Sequence, residues 1–221
     1  MSRVIRAVCF DFDGTLAHFT GDFAGLVDGL RSDLGLTPAD AERLAPLRAQ
    51  AERRGGPMTF ADTLRTALTE LELPVPKNLE AVAARVVRDY SAQLALLPGA
   101  KDVLERCRGR GLPLALVTNG PADVQRSAVR AVGLEHFFKA VVISGDAEVG
   151  VRKPDPRTFA LACSALGCRP EETVMVGDNL EADVLGALSC GMQAVYLGTA
   201  TGRGYLTLPG IGAFGAYLDR P

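Results

Sequence analysis

Two aspartates stand two residues apart in Asp11-Phe12-Asp13-Gly14-Thr15, directly after the apolar run Val4-Ile5-Arg6-Ala7-Val8-Cys9-Phe10. The run is partly β-branched and ends abruptly in turn residues, so it reads as a buried strand. Both acids then project from the carboxyl end of that strand, with Phe12 on the opposite face between them. Two carboxylates this close repel each other. They persist where a cation joins them or where one of them keeps a proton. Either solution gives reactive chemistry. The plain alternative is a solvated Asp-Gly turn.

The other apolar runs end in the same way. One closes in Thr118-Asn119-Gly120, followed by Pro121 at a helix start. A hydroxyl, an amide and backbone N–H groups there suit an anion, or simply cap the helix. Another leads through Ser144-Gly145-Asp146 to Arg152-Lys153-Pro154-Asp155-Pro156. The chain has only four lysines among its 24 cationic residues, and two prolines stiffen the backbone around Lys153. That favours a placed point charge over a solvated one. A third run ends in Gly177-Asp178, with Asp183 one turn into the next helix. Together these fragments offer carboxylates, an ammonium, a hydroxyl and N–H groups. Carboxylate oxygens suit Mg²⁺. An ammonium, a hydroxyl and a metal can surround the oxygens of a phosphoryl group in flight. A carboxylate nucleophile can accept that group as an aspartyl-phosphate.

The elements that must position these residues follow from the pattern. Strands are expected at 4–10, 112–117, 140–143, 173–176 and 192–197. Helices are expected at 101–110, 121–132, 156–166 and 181–189. Strand–helix alternation argues a Rossmann-like α/β core: a parallel sheet with helices on both faces, with ligands beyond the carboxyl ends of its strands. Between 22 and 96 the periodicity is helical throughout, with no strand signal. Phe23, Leu26, Val27 and Leu30 fall at helical spacing. Thr37-Pro38 and Thr59 open further helices, and a last one is expected over 78–96. The expected organisation is a catalytic core of 1–16 and 97–221 with an all-helical cap domain of 17–96 inserted into it. Leu97-Pro98-Gly99 would be the return hinge. The Gly-rich tail from Gly198 is assigned no role beyond packing by Tyr205, Phe214 and Tyr217.

Composition narrows the function classes. A net charge of −2 gives no reason to expect nucleic acid or an anionic membrane surface. No apolar stretch reaches the length of a bilayer span, and no signal peptide is read at the N-terminus. Five dispersed cysteines without a Cys-x-x-Cys pair suit core thiols in a reducing cytoplasm. Cytoplasmic localisation is expected.

The ordered set Asp11-Phe12-Asp13-Gly14-Thr15, Thr118-Asn119-Gly120, Arg152 to Pro156 and Gly177-Asp178 through Asp183 resembles the haloacid dehalogenase superfamily of phosphohydrolases. The resemblance implies Asp11 as nucleophile and Asp13 as general acid and base. It implies Mg²⁺ held by Asp11, the Asp13 carbonyl and Asp178, with Asp183 orienting Lys153 or a metal-bound water. It implies that Thr118 and Lys153 hold the phosphoryl oxygens. Asn119 and His18 are further candidates for contact with the substrate, expected to be a small phosphorylated metabolite. The family's dehalogenases lack the second acid, which this chain has in Asp13. Its phosphomutases often carry an aliphatic residue in place of Thr15. Hydrolysis is therefore expected, with a sugar phosphomutase or a non-catalytic phospho-ligand binding protein as the alternatives. Where many relatives carry a small acidic-polar pair, this chain has His18-Phe19.

Overall fold

The computed structural model describes residues 4–218. In chain order the elements are β1 (Ala7–Phe10), β2 (Ala17–Phe19), α1 (Phe23–Asp33), α2 (Pro38–Arg54), α3 (Phe60–Glu70), α4 (Leu79–Ser91) and β3 (Leu94–Leu96). Then come α5 (Ala100–Gly109), β4 (Leu114–Thr118), α6 (Ala122–Ala131), β5 (Ala140–Ile143), α7 (Pro156–Leu166) and β6 (Thr173–Gly177). A π-helical segment at Leu180–Leu185 runs into α8 (Gly186–Ser189), followed by β7 (Gln193–Leu197), β8 (Leu206–Leu208) and α9 (Ile211–Leu218).

Among the described residues, six strands form one parallel sheet in the order β5-β4-β1-β6-β7-β8. β1 therefore lies inside the sheet, paired with β4 on one side and β6 on the other. Its side chains alternate as the pleat requires. Val8, Phe10 and Phe12 enter one apolar cluster, with α5, α6 and α9 over it. Ala7 and Cys9 enter the other, under α7 and α8. Helices thus cover both faces, and the strands have to be apolar on both sides. All four residues of β1 are fully buried.

The segment between β1 and α5 builds a third cluster of its own. Leu64, Leu68, Leu79 and Val82 lie at its centre, and Val124 of α6 packs against it. Thr37 and Thr59 are N-caps with reciprocal capping boxes to Asp40 and Asp62, so both helix starts lie where the sequence puts them. One expectation is corrected. The helix expected over 78–96 stops at Ser91, and Leu94–Leu96 pairs antiparallel with Ala17–Phe19. A three-residue ribbon therefore stands at the root of the inserted helices, within a block expected to contain no strand. Such strands are too short to carry a period of their own. α1 lies where the helical spacing of Phe23, Leu26, Val27 and Leu30 puts it and has no fully buried residue. The tail packs on the core through Phe214 and Tyr217 and adds regular structure. β8 adds a sixth parallel strand, and α9 packs on α5.

Phe214 on α9 is completely buried and meets Phe10 edge-to-face with centroids 6.0 Å apart. Phe214→Ala should lower the unfolding free energy by about 3–5 kcal/mol through lost transfer and a residual cavity. Urea unfolding checks this. A loss below about 1 kcal/mol would mean that the tail merely rests on the core.

Candidate active site

The sheet's carboxyl edge gathers two acids and a carbonyl oxygen, from the ends of three strands, around a single ammonium. Lys153 is buried, with its Nζ 2.6 Å from Asp11 Oδ1, 2.6 Å from Asp183 Oδ1 and 2.7 Å from the Val117 carbonyl oxygen. The ammonium donates hydrogen bonds to Asp11 and to the Val117 carbonyl and forms an ion pair with Asp183. Burial alone would lower its proton affinity, but the charges of Asp11 and Asp183 outweigh that and raise it.

The loop before α7 is aimed by Asn119. Its side-chain amide donates to the Lys153 carbonyl at 3.0 Å, and its side-chain oxygen accepts from the Lys153 N–H at 2.9 Å. Asn119 was expected to contact substrate, yet both ends of its amide are committed to the Lys153 backbone. It lines the cavity described below but acts as a clamp on the lysine.

On the other side of Asp11, the Thr15 hydroxyl lies 3.3 Å from Asp11 Oδ2 and 3.4 Å from Asp178 Oδ1. One hydroxyl proton serves one of these acceptors at a time. Ligand oxygens of Asp11, Asp178 and Asp183 all lie within 4.8 Å of one another. Burial, and then the Asp11 charge, raise the Asp178 carboxyl. Asp183 is also raised, chiefly by burial and also by Asp11, against the pull of Lys153. One ammonium does not balance three acids at this spacing, and an all-oxygen donor set fits a hard divalent cation. Two glycines allow the approach. Gly14 has φ +76°, and a Cβ there would lie 2.3 Å from Asp178 Oδ2. A Cβ on Gly177 would lie 2.2 Å from Asp183 Oδ2.

Asp13 sits apart from this charge cluster. Its Oδ2 accepts from Gln125 Nε2 at 3.0 Å, and the Tyr90 hydroxyl of α4 lies 3.5 Å from its Oδ1. Burial raises its proton affinity most, the Gln125 hydrogen bond lowers it, and Asp11 raises it further. The Tyr90 ring stacks on Phe19 of β2, centroids 5.2 Å apart and planes within 4°. A cavity of about 340 Å³ opens beside Asp13 and runs between the inserted helices and the core.

Of the residues expected at the site, Asp11, Asp13, Lys153, Asp178 and Asp183 converge. Thr118 is present, but its hydroxyl donates to Gln125 Oε1 at 3.0 Å. His18 is exposed on β2 and is not part of the cavity lining, where Tyr90 stands. Sequence reasoning missed Gln125, Tyr90 and the bridging role of Thr15. Gln125 had one signal available: it is a polar residue on the face of α6 that also buries Ala128 and Val129.

A family model for haloacid dehalogenase-like hydrolases matches residues 5–191. The chain belongs to this family. A phosphoserine phosphatase of Thermus thermophilus is 51% identical over 102 residues, covering 46% of this chain and 40% of that protein. The match therefore spans less than half of that relative's length. A glyceraldehyde 3-phosphate phosphatase of Methanopyrus kandleri is 36% identical over 206 residues, covering 87% of this chain and 83% of that protein. The crystal structure of a HAD phosphatase from Thermococcus onnurineus superposes with a TM-score of 0.72 at 27% identity, over 97% of this chain and 98% of the other. Among the described residues of this family member, no helix is long and apolar enough to cross a membrane.

A divalent cation bound between Asp11 and Asp178 should stabilise the native state. At about a hundredfold excess over its dissociation constant, a cation should raise the melting temperature by about 5–10 °C. Asp178→Asn should abolish most of that rise. A cation-induced shift of equal size in Asp178→Asn would place the ion elsewhere.

Proposed function

We propose that this hydrolase is a Mg²⁺-dependent phosphomonoesterase acting through a phosphoryl adduct on Asp11. The observation that carries this reading is the contrast between Asp11 and Asp13. Asp11 faces the Lys153 ammonium at 2.6 Å, so its carboxyl has a cationic partner. Asp13 is held by an amide and raised in proton affinity by burial, at the mouth of the cavity. A nucleophile needs the first environment and a general acid needs the second. A departing halide takes no proton, so a dehalogenase would have no use for an acid at Asp13.

In the first step an Asp11 oxygen attacks phosphorus, the bond from phosphorus to the leaving oxygen breaks, and Asp13 protonates that oxygen. In the second step Asp13, now ionised, takes a proton from water. The water oxygen attacks phosphorus, the bond to Asp11 breaks, and phosphate leaves with both acids restored. The sum is ester plus water giving alcohol plus phosphate. Lys153 holds the Asp11 carboxyl in one orientation, and Asn119 fixes the loop that carries the lysine. Gln125 and Tyr90 aim Asp13. Mg²⁺ held by Asp11 and Asp178, with the Asp13 carbonyl, would neutralise charge on the phosphoryl oxygens. We read residues 17–96 as a cap that excludes water over the substrate, and 1–16 with 97–221 as the catalytic core. The substrate would be a small phosphorylated compound of the cytoplasm. The relatives named for phosphoserine and glyceraldehyde 3-phosphate support phosphate-ester chemistry without fixing the alcohol.

Asp13→Asn keeps shape and removes both proton transfers, so turnover should fall by about 10²–10⁴-fold. With an aryl phosphate, whose leaving group needs little protonation, the first step should partly survive. The intact protein should then gain the mass of one phosphoryl group, mapping to Asp11. Asp11→Asn should gain none. Substantial turnover by Asp11→Asn, with deamidation excluded by mass, would make water the direct nucleophile.

A further inference from the structure

We propose that the alcohol released at this site is apolar, so that the preferred substrates are phosphomonoesters of alkyl or aryl alcohols, selected by Phe23 and Val27 of α1. This inference rests on the phosphatase reading and names its leaving group. The cavity touches Asp13 and Gln125, whereas Asp11, Lys153 and Asp178 lie outside its lining. It therefore lies on the side of the acid that protonates the leaving oxygen, away from the groups that face phosphorus. Whatever leaves with that oxygen occupies the cavity.

The walls are apolar. Phe23, Leu26, Val27 and Leu30 of α1 face Val86 and Val87 of α4 across it. Leu30 packs against the cluster of the inserted helices, but Phe23 is 63% and Val27 39% exposed, so this end of the face is uncovered without a ligand. A volume of about 340 Å³ lies in the range of sites that enclose a whole organic ligand.

The charges at the rim point the same way. Arg48 is the lone cation of the lining, and it forms an i,i+4 ion pair with Glu52. Its guanidinium also lies over the Phe60 ring, 5.4 Å from the centroid. The cation is thus answered before any substrate enters. A leaving group with its own carboxylate would have to break that pair or enter unpaired, and both are costly in an apolar cavity. An alkyl or aryl group meets neither cost and removes the exposed face of α1 from water.

The test is kcat/KM with Mg²⁺ across the n-alkyl phosphates from methyl to hexyl, beside phosphoglycolate and phosphoserine. The alkyl series should rise about fourfold per methylene until the cavity is filled. Hexyl phosphate should exceed both charged esters. Phe23 and Val27 are both exposed; the Phe23 ring also meets Phe19 edge-to-face, centroids 6.2 Å apart, so Val27→Ala tests the wall without touching the Phe19–Tyr90 stack. Each should lower the hexyl-to-methyl ratio, Phe23→Ala by about tenfold or more. A flat alkyl series, a preference for either charged ester, or an unchanged ratio in both variants would overturn the proposal while leaving a phosphatase in place. Absence of turnover on every ester, a generic aryl phosphate included, would remove the phosphatase reading and the proposal with it.

Discussion

The site depends on one buried ammonium. Taking a lysine charge out of water costs several kcal/mol, and only good geometry with full hydrogen bonding offsets that cost. Lys153 meets an acid after β1, an acid after β6 and a carbonyl at the end of β4. These acceptors come from three neighbouring strands of one sheet. They meet at one point only when the register is the one seen, Phe10 beside Leu116 and Val176. The charge thus ties catalysis to the fold, because slippage of any of the three strands would leave a buried ion without a partner. The clamp from Asn119 extends the same constraint to the loop before α7.

Core and inserted helices divide the work by polarity. The core edge supplies the charged groups, since strand ends and loops can converge without burying their backbones unpaired. The inserted helices supply an apolar wall, the self-paired Arg48 and Glu52 at its rim, and the Tyr90 hydroxyl beside Asp13. The two parts are joined by two backbone hydrogen bonds and one from a backbone N–H to a side chain. Met58 N–H donates to the Gly145 carbonyl and Ala122 N–H to the Met58 carbonyl, both at 2.9 Å, and Phe60 N–H donates to Asp123 Oδ1 at 2.8 Å. The 56–60 loop is thereby fixed next to the strand ends that carry Thr118 and Ser144.

What the sequence reveals of this site is what local pattern can encode. Asp11, Asp13, Lys153 and Asp178 each follow an apolar run or a stiff turn, and each lies where that pattern puts it. The parallel core was legible for the same reason, since its strands are apolar throughout. Gln125 and Tyr90 were not legible, because each sits on a helix and its role depends on which strand end that helix faces. Thr118 and Asn119 were placed correctly at the edge, but their partners depend on tertiary contacts with α6 and Lys153. The 23–30 spacing is the most instructive case. Periodicity reports that a helix has an apolar face, and it is silent on what covers that face. β2, β3 and β8, three residues each, are fixed by pairing and not by their own sequence.

The pair that opens the chain shows how two identical side chains, one residue between them, acquire different chemistry. Asp11 is the more buried, and its partner is an ammonium 2.6 Å away. Asp13 has a neutral amide and a distant phenol as partners, and burial then favours its protonated form. The amide is itself committed, because Gln125 Oε1 accepts from the buried Thr118 hydroxyl, which leaves Nε2 to point at Asp13. This fixes the orientation of Gln125 and makes it a donor toward a carboxylate, an arrangement that tempers the effect of burial without supplying a charge. Burial and Gln125 thus act on the Asp13 proton in opposite directions. A lysine in place of Gln125 would hold Asp13 ionised, and an apolar residue would hold it protonated. A neutral donor is the residue type that serves both halves of a reaction in which one carboxyl must first be an acid and then a base.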